Sequence, residues 1–153
     1  MNHQSRENIF EQLKIDEGIK YECYRCSENV LTFGVGHKIL EDDPEYDKPV
    51  GTPVTQDRVW EVFQTDLDIA ISECEILFTG DTWNNFPDEV QEVCVNMMFN
   101  LGRPRYSKFV KHIDALKSHN WFKAGVEARD SRWHTQVGAR AERLCTRLEA
   151  LST

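Results

Sequence analysis

Glu17, Cys26 and Thr32 follow one another at intervals of nine and six positions, a spacing that lets a helix end and the two arms of a hairpin face one groove. Cleaving a glycosidic bond needs a carboxylic acid to protonate the leaving oxygen and a second group to activate water or attack the sugar. Glu17 supplies the acid. Cys26 offers a thiol where a second carboxylate is usual, and Thr32 adds a hydroxyl. A free thiol titrates near about 8.5, so it is mostly protonated at neutral pH, and a neighbouring Glu17 carboxylate disfavours the thiolate further. With little of it deprotonated at neutral pH, Cys26 is therefore a poorer general base than Asp. Sulfur is intrinsically nucleophilic, however, and attack on the anomeric carbon would give a covalent intermediate and retention instead of inversion. Spacing alone separates neither Glu17 from a solvated helix-terminal acid nor Cys26 from a small buried hydrophobe.

Two other chemistries use the same residues. Cys26 with His37 as base would make a cysteine peptidase acting on peptide stems, although no Asn or Asp to orient the histidine is evident nearby. Cys23 and Cys26 form a Cys-x-x-Cys spacing, but no second Cys or His pair follows and the motif sits in a hairpin, so neither a metal nor any cofactor is expected. Cys74, Cys94 and Cys145 fall on apolar helix faces and read as core. An odd, scattered set of five cysteines suits reduced thiols.

The elements that must position these groups are legible from periodicity. Ile9, Phe10 and Leu13 recur at helical spacing, with Asn8 and Glu11 in a capping-box arrangement and Gly18 as the stop, which predicts a helix over 8–16. From Tyr21 to Val35 the aromatic and β-branched content rises around a Ser27-Glu28-Asn29 turn, predicting a small antiparallel hairpin closed by Gly34 and Gly36. Glu41–Val54, with Pro44, Pro49, Gly51 and Pro53, reads as an exposed loop without a core of its own. After Thr55 as N-cap, Val59, Trp60, Phe63, Leu67, Ala70, Ile71, Cys74 and Leu77 keep helical period until Gly80. The remainder reads as short helices punctuated by Pro87, Gly102, Pro104 and Gly138.

Together these make one α+β domain over 1–153. A hairpin-bearing lobe at about 18–56 is joined by a long helix at about 56–79 to an all-helical lobe at about 80–153. That lobe also takes up the helix at 8–16, and a cleft is expected between the lobes.

Hydrophobic residues at 40% and charged residues at 29% fit a folded globular chain. The net charge of -8 argues against a nucleic-acid partner, which needs clustered cations. Arg129, Arg132, Arg140, Arg143 and Arg147 make the C-terminal part locally basic, as a solvated helix face would be. No apolar stretch resembles a signal peptide or a membrane span, so neither secretion by that route nor membrane insertion is expected.

Asp16-Glu17-Gly18, Cys26 and Thr32-Phe33-Gly34-Val35-Gly36-His37 resemble the active-site segment of the T-even phage type lysozymes. In that family Glu, eight residues, Asp or Cys, five residues and Thr precede Gly-x-Gly-His. Asn96-Met97-Met98-Phe99-Asn100-Leu101-Gly102 is similar to the family's central C-terminal helix, and Ser131-Arg132-Trp133, Gln136 and Arg140-Ala141 to its late signature. The resemblance covers most of the chain and is weakest over Glu41–Val54.

It implies a lysozyme-like α+β fold with Glu17 as general acid, Cys26 as the second catalytic group in place of the Asp of the best-known enzyme, and Thr32 as a hydroxyl that holds water or substrate. It further implies that His37 pairs with Asp66 as a structural tie and that Arg140 approaches the catalytic Glu. Lys38, Phe99, His112 and Glu127 fall at substrate-contact positions, of which only Phe99 keeps the family's residue type.

The implied protein is an endolysin, a muramidase that cuts the β-1,4 bond between N-acetylmuramic acid and N-acetylglucosamine of bacterial peptidoglycan for host lysis. It would act as a monomer, held in the host cytoplasm until a holin releases it to the wall. The alternative from another class is a catalytically silent wall-binding or regulatory protein of the same fold, against which the retained Glu17 and Thr32 speak.

Overall fold

The computed structural model describes residues 1–151; Ser152 and Thr153, the end of the expected helical lobe, lie outside the described residues. Contacts divide the chain into two compact units, Arg6–Ile69 and Met1–Ser5 with Ala70 onward. The boundaries fall inside the helices α1 (His3–Glu17) and α2 (Gln56–Phe78).

Helix α1 starts at His3 instead of Asn8 because Asn2 is its cap: the Asn2 side-chain oxygen accepts the Ser5 backbone N–H at 2.8 Å, satisfying one of the donors a helix start leaves open. From Arg6 onward the helix belongs with the sheet, not with the C-terminal helices as the sequence suggested. The cause is aromatic and ionic. The Phe10 ring meets Trp60 edge-on at 4.9 Å and Phe63 at 4.8 Å, an arrangement favoured by the ring quadrupoles. The Arg6 guanidinium donates to Gln64 at 2.9 Å and Asp68 at 2.7 Å.

The sheet has three antiparallel strands in the order β1 (Lys20–Arg25), β2 (Leu31–Gly34), β3 (His37–Lys38). The β1–β2 turn is closed by the Cys26 N–H donating to the Val30 carbonyl at 3.0 Å and the Asn29 N–H donating to the Cys26 carbonyl at 2.8 Å. Asn29 takes a left-handed φ of 61°, which Asn tolerates and a three-residue hairpin loop requires. Cys23, Phe33, Val54, Val59 and Val62 form the buried core of this unit, with Ile19, Leu31 and Ile39 packed on it.

The loop over 41–54 is largely exposed but is stitched to β1. Cys23 N–H donates to Thr52 O at 2.9 Å, Gly51 N–H to Cys23 O at 2.8 Å, and Val54 N–H to Tyr21 O at 2.9 Å. Val54 thereby enters the core, a role that the proline-rich composition of the segment hid.

Helix α2 is capped by Thr55, whose hydroxyl accepts the Arg58 N–H at 3.1 Å. The second unit carries the remainder of α2, then α3 (Gly80–Asn84), α4 (Asp88–Tyr106), α5 (Val110–Lys117), α6 (Trp121–Arg129), α7 (Arg132–Val137) and α8 (Ala139–Ala150). Its aromatic core joins Phe78 to Trp83, Phe86 and Tyr106.

Helix α4 breaks at Gly102, whose φ of 73° no β-carbon-bearing residue adopts cheaply, and Pro104 follows in the next turn. Asn120 caps α6 and Ser131 caps α7 through their side-chain oxygens. Among the described residues no helix is long and apolar enough to cross a membrane.

Candidate active site

Glu17, Cys26, Thr32 and Lys38 line one cleft of about 240 Å³ in the sheet-bearing unit, together with Tyr24, Ser27, Glu28 and Gly36. Glu17 is the last residue of α1. Cys26 follows the last residue of β1, Thr32 lies on β2, and Lys38 is the register partner of Thr32 on β3. Gly36, with φ of 64°, lets the β2–β3 turn come up against the acid: a β-carbon there would sit 3.5 Å from Glu17 Cβ and 3.7 Å from its Oε2. The Gly-x-Gly pattern thus brings backbone, not side chain, beside Glu17.

Thr32 is 1% exposed and its hydroxyl donates to the Val30 carbonyl at 2.8 Å. Its lone pairs are left for a neighbour or a water.

The Cys26 thiol is partly exposed and its pKa is lowered. Hydrogen bonds from the backbone N–H groups of Val30 and Glu28 contribute most, burial opposes them, and the Thr32 hydroxyl assists, while the Glu28 carboxylate works against the thiolate. This reverses the expectation that acidic neighbours would hold Cys26 more firmly protonated than a free thiol. Sequence shows charges, whereas the turn that aims two amides at the sulfur emerges only from the fold. Hydrogen bonds to the charged form favour it.

Cys23, three residues earlier, is fully buried in the core, and its pKa is raised, first by burial and then by Glu45 and Glu22. One cysteine of the Cys-x-x-Cys spacing thus packs inside and the other opens to the cleft.

His37 is 8% exposed. Its Nδ1 lies 2.8 Å from Asp66 Oδ2 and its Nε2 lies 2.7 Å from Asp43 Oδ2. With both nitrogens taken up by carboxylates, the imidazole is not placed to serve Cys26 as a base, which removes the support for a Cys–His peptidase. Asp43 was not legible as a partner because it sits in the acidic loop. Arg58 reaches Asp43 at 3.4 Å and Glu45 at 3.0 Å from the first turn of α2, holding that loop down.

The other expected site residues belong to the second unit. Phe99 is half-buried on α4. The Arg140 guanidinium donates to Asn96 Oδ1 at 2.9 Å and to the Asn96 carbonyl at 3.2 Å.

Glu127 and His112 border a cavity of about 650 Å³, which Arg105, Phe109, Arg132 and Trp133 also line. His112 is nevertheless only 1% exposed. Its Nδ1 donates to the Ala124 carbonyl at 2.8 Å, which leaves Nε2 to accept the Tyr106 hydroxyl at 3.0 Å. Burial holds its pKa at about 4, against the pull of that carbonyl bond. His112 is thus a neutral core residue with both nitrogens engaged, and the sequence-derived place among substrate contacts does not fit its surroundings.

Glu28 and Tyr24 line the cleft without having been singled out. The available signal for Glu28 was its place in the turn, two residues after Cys26.

The family model described as phage lysozyme matches residues 14–150. Two proteins of Dictyostelium discoideum, probable T4-type lysozyme 2 and probable T4-type lysozyme 1, are 28% and 26% identical, each over 93% of this chain and 94% of their own length. The pre-baseplate central spike protein Gp5 of Enterobacteria phage T4 is 28% identical over 90% of this chain, within 27% of its own length. A match that starts before Glu17 and runs through α8 takes in the cleft and most of both units, and on it the chain belongs to the phage lysozyme family, among the lysozyme-like glycosidases.

Proposed function

We propose that this chain is an endolysin acting as a muramidase, hydrolysing the β-1,4 bond between N-acetylmuramic acid and N-acetylglucosamine of bacterial peptidoglycan. The observation that carries the reading is the convergence of Glu17, Cys26 and Thr32 on one cleft. In this account the Glu17 carboxylic acid protonates the leaving glycosidic oxygen and the Cys26 thiolate provides the second function. Two routes are open to that thiolate. It takes a proton from the attacking water, giving inversion, or it bonds to the anomeric carbon before water displaces it, giving retention. The anomer formed first separates the two. Thr32, its hydroxyl proton directed to the Val30 carbonyl, accepts from and orients the water or the substrate.

Lys38, Phe99 and Glu127 are proposed as substrate contacts, with Asp66–His37 and Arg140–Asn96 as supporting pairs. The protein is proposed to work as a monomer without a cofactor, to accumulate in the host cytoplasm and to reach the wall after a holin opens the membrane. Purified peptidoglycan should release new reducing ends on incubation with the protein and none with Glu17→Gln. Equal release by that variant would contradict the assignment.

A further inference from the structure

Lys38 is the single cation among the described residues that line the cleft. Its Nζ lies 2.8 Å from Glu28 Oε2, and both side chains are largely exposed, 56% and 67%. An ion pair this exposed adds little to stability, so its effect is to be sought in the cleft. The groups facing Cys26 there are the Glu17 carboxylate at the end of α1, the Tyr24 phenol on β1, the Glu28 carboxylate in the turn and the Lys38 ammonium on β3. Two further cations nearby are engaged elsewhere: Lys20 lies over the Tyr24 ring at 4.5 Å and Arg25 donates to the Asn29 carbonyl at 3.2 Å. Without Lys38, a thiolate at Cys26 would meet the Glu28 carboxylate with no cation from the cleft lining to offset it.

We infer that Lys38, oriented by Glu28, is a positioning residue that favours the thiolate form of Cys26 over the thiol, both by its own charge and by neutralising the Glu28 carboxylate. The inference rests on the reading of Cys26 as the second catalytic group. Coupling between charges is reciprocal, and the ammonium feels the other side of it: the Lys38 pKa is raised, first by its hydrogen bond to Glu28, with Cys26 and Glu17 adding to the effect. Glu28 then acts in two senses. Its backbone N–H stabilises the thiolate and its carboxylate opposes it, and Lys38 cancels the second while leaving the first.

The test is the rate of carbamidomethylation of Cys26 by iodoacetamide between about pH 5 and about pH 10, read by peptide mass spectrometry. Localising the label distinguishes Cys26 from the four buried cysteines. Lys38→Met should move the midpoint up by about half a pH unit, a roughly threefold loss of rate at neutral pH. Lys38→Arg, which keeps the cation and its pairing with Glu28, should restore it. Coincident midpoints for the wild type and Lys38→Met would overturn the inference, as would a failure of Lys38→Arg to restore the wild-type midpoint. Glycan cleavage by the fully labelled protein reads the underlying assignment separately: retained cleavage would end the catalytic role of Cys26 while leaving the alkylation profiles to speak for Lys38.

Discussion

His37 meets Asp43 through Nε2 at 2.7 Å while its Nδ1 is bound to Asp66 at 2.8 Å. Because a carboxylate only accepts, both ring nitrogens must donate, and the form that does so is the imidazolium. Burial pushes the His37 pKa down, but the hydrogen bonds to Asp66 and Asp43 and their charges outweigh it, so the pKa is raised. The group therefore stabilises the fold fully below the unfolded value of about 6.5, and the contribution is lost as pH rises through the higher folded value. Asp66→Asn should cost about 1–3 kcal/mol at pH 6 and distinctly less at pH 9 by urea denaturation. Equal losses at the two pH values would show that the imidazolium is not what holds α2 to β3 and the loop.

The second buried histidine carries the opposite sign. His112, with its pKa held at about 4 by burial, is neutral in the fold and takes a proton more readily when unfolded. Its contribution is present above the unfolded value and declines as pH falls from about 6.5 toward 4. The ¹⁵N shifts of its ring should report an Nδ1–H tautomer that does not titrate above pH 5. Tyr106→Phe, which strips Nε2 of its donor, should destabilise by about 1–3 kcal/mol. An imidazole that titrates near pH 6.5 would contradict this placement.

Gly125 on α6 packs tightly against α8. A β-carbon there would lie 2.6 Å from Glu149 Cγ and 2.8 Å from the Cys145 backbone carbonyl. The side chain could swing aside but the carbonyl cannot. Gly125→Ala should thus lower the melting temperature, because an overpacking cost of about 1–3 kcal/mol exceeds the gain of about 1 kcal/mol in helix propensity. A raised melting temperature would show that the two helices separate at little cost.

Cys26 should be the first cysteine to react with iodoacetamide at neutral pH, and its modification should abolish glycan cleavage. Cys26→Ala should lose at least about a hundredfold in rate, the contribution of a positioned acid–base group. Cys26→Asp, which installs the residue of the best-known family member, should stay active and resist the reagent. Full activity in Cys26→Ala would reduce the thiol to a space-filler.

How far the sequence reaches is clear from particular residues. Thr55, Gly80 and the apolar period between them mark α2 almost to the residue, because capping and periodicity are local. Glu17, Cys26 and Thr32 were selected by motif, and the cleft they line follows from a helix end and a hairpin that the sequence also suggests. Asn2 as the cap of α1 was hidden by a second capping pattern at Asn8. The grouping of α1 depends on Phe10 finding Trp60 and Phe63, contacts between residues distant in sequence. The Asp43 clamp on His37 and the amides of Val30 and Glu28 at Cys26 arise from loop and turn geometry, and no pattern of residue types announces them. His112 matched a family position, but only its burial reveals that it packs inward.

The most direct test of the account is the chemistry of the ends. Peptidoglycan digested by the protein and by Glu17→Gln would be reduced with borohydride and the products identified by mass spectrometry. The account predicts muropeptides ending in reduced N-acetylmuramic acid with the wild type and none with the variant. Anhydro ends, freed peptide stems or no products at all would contradict it.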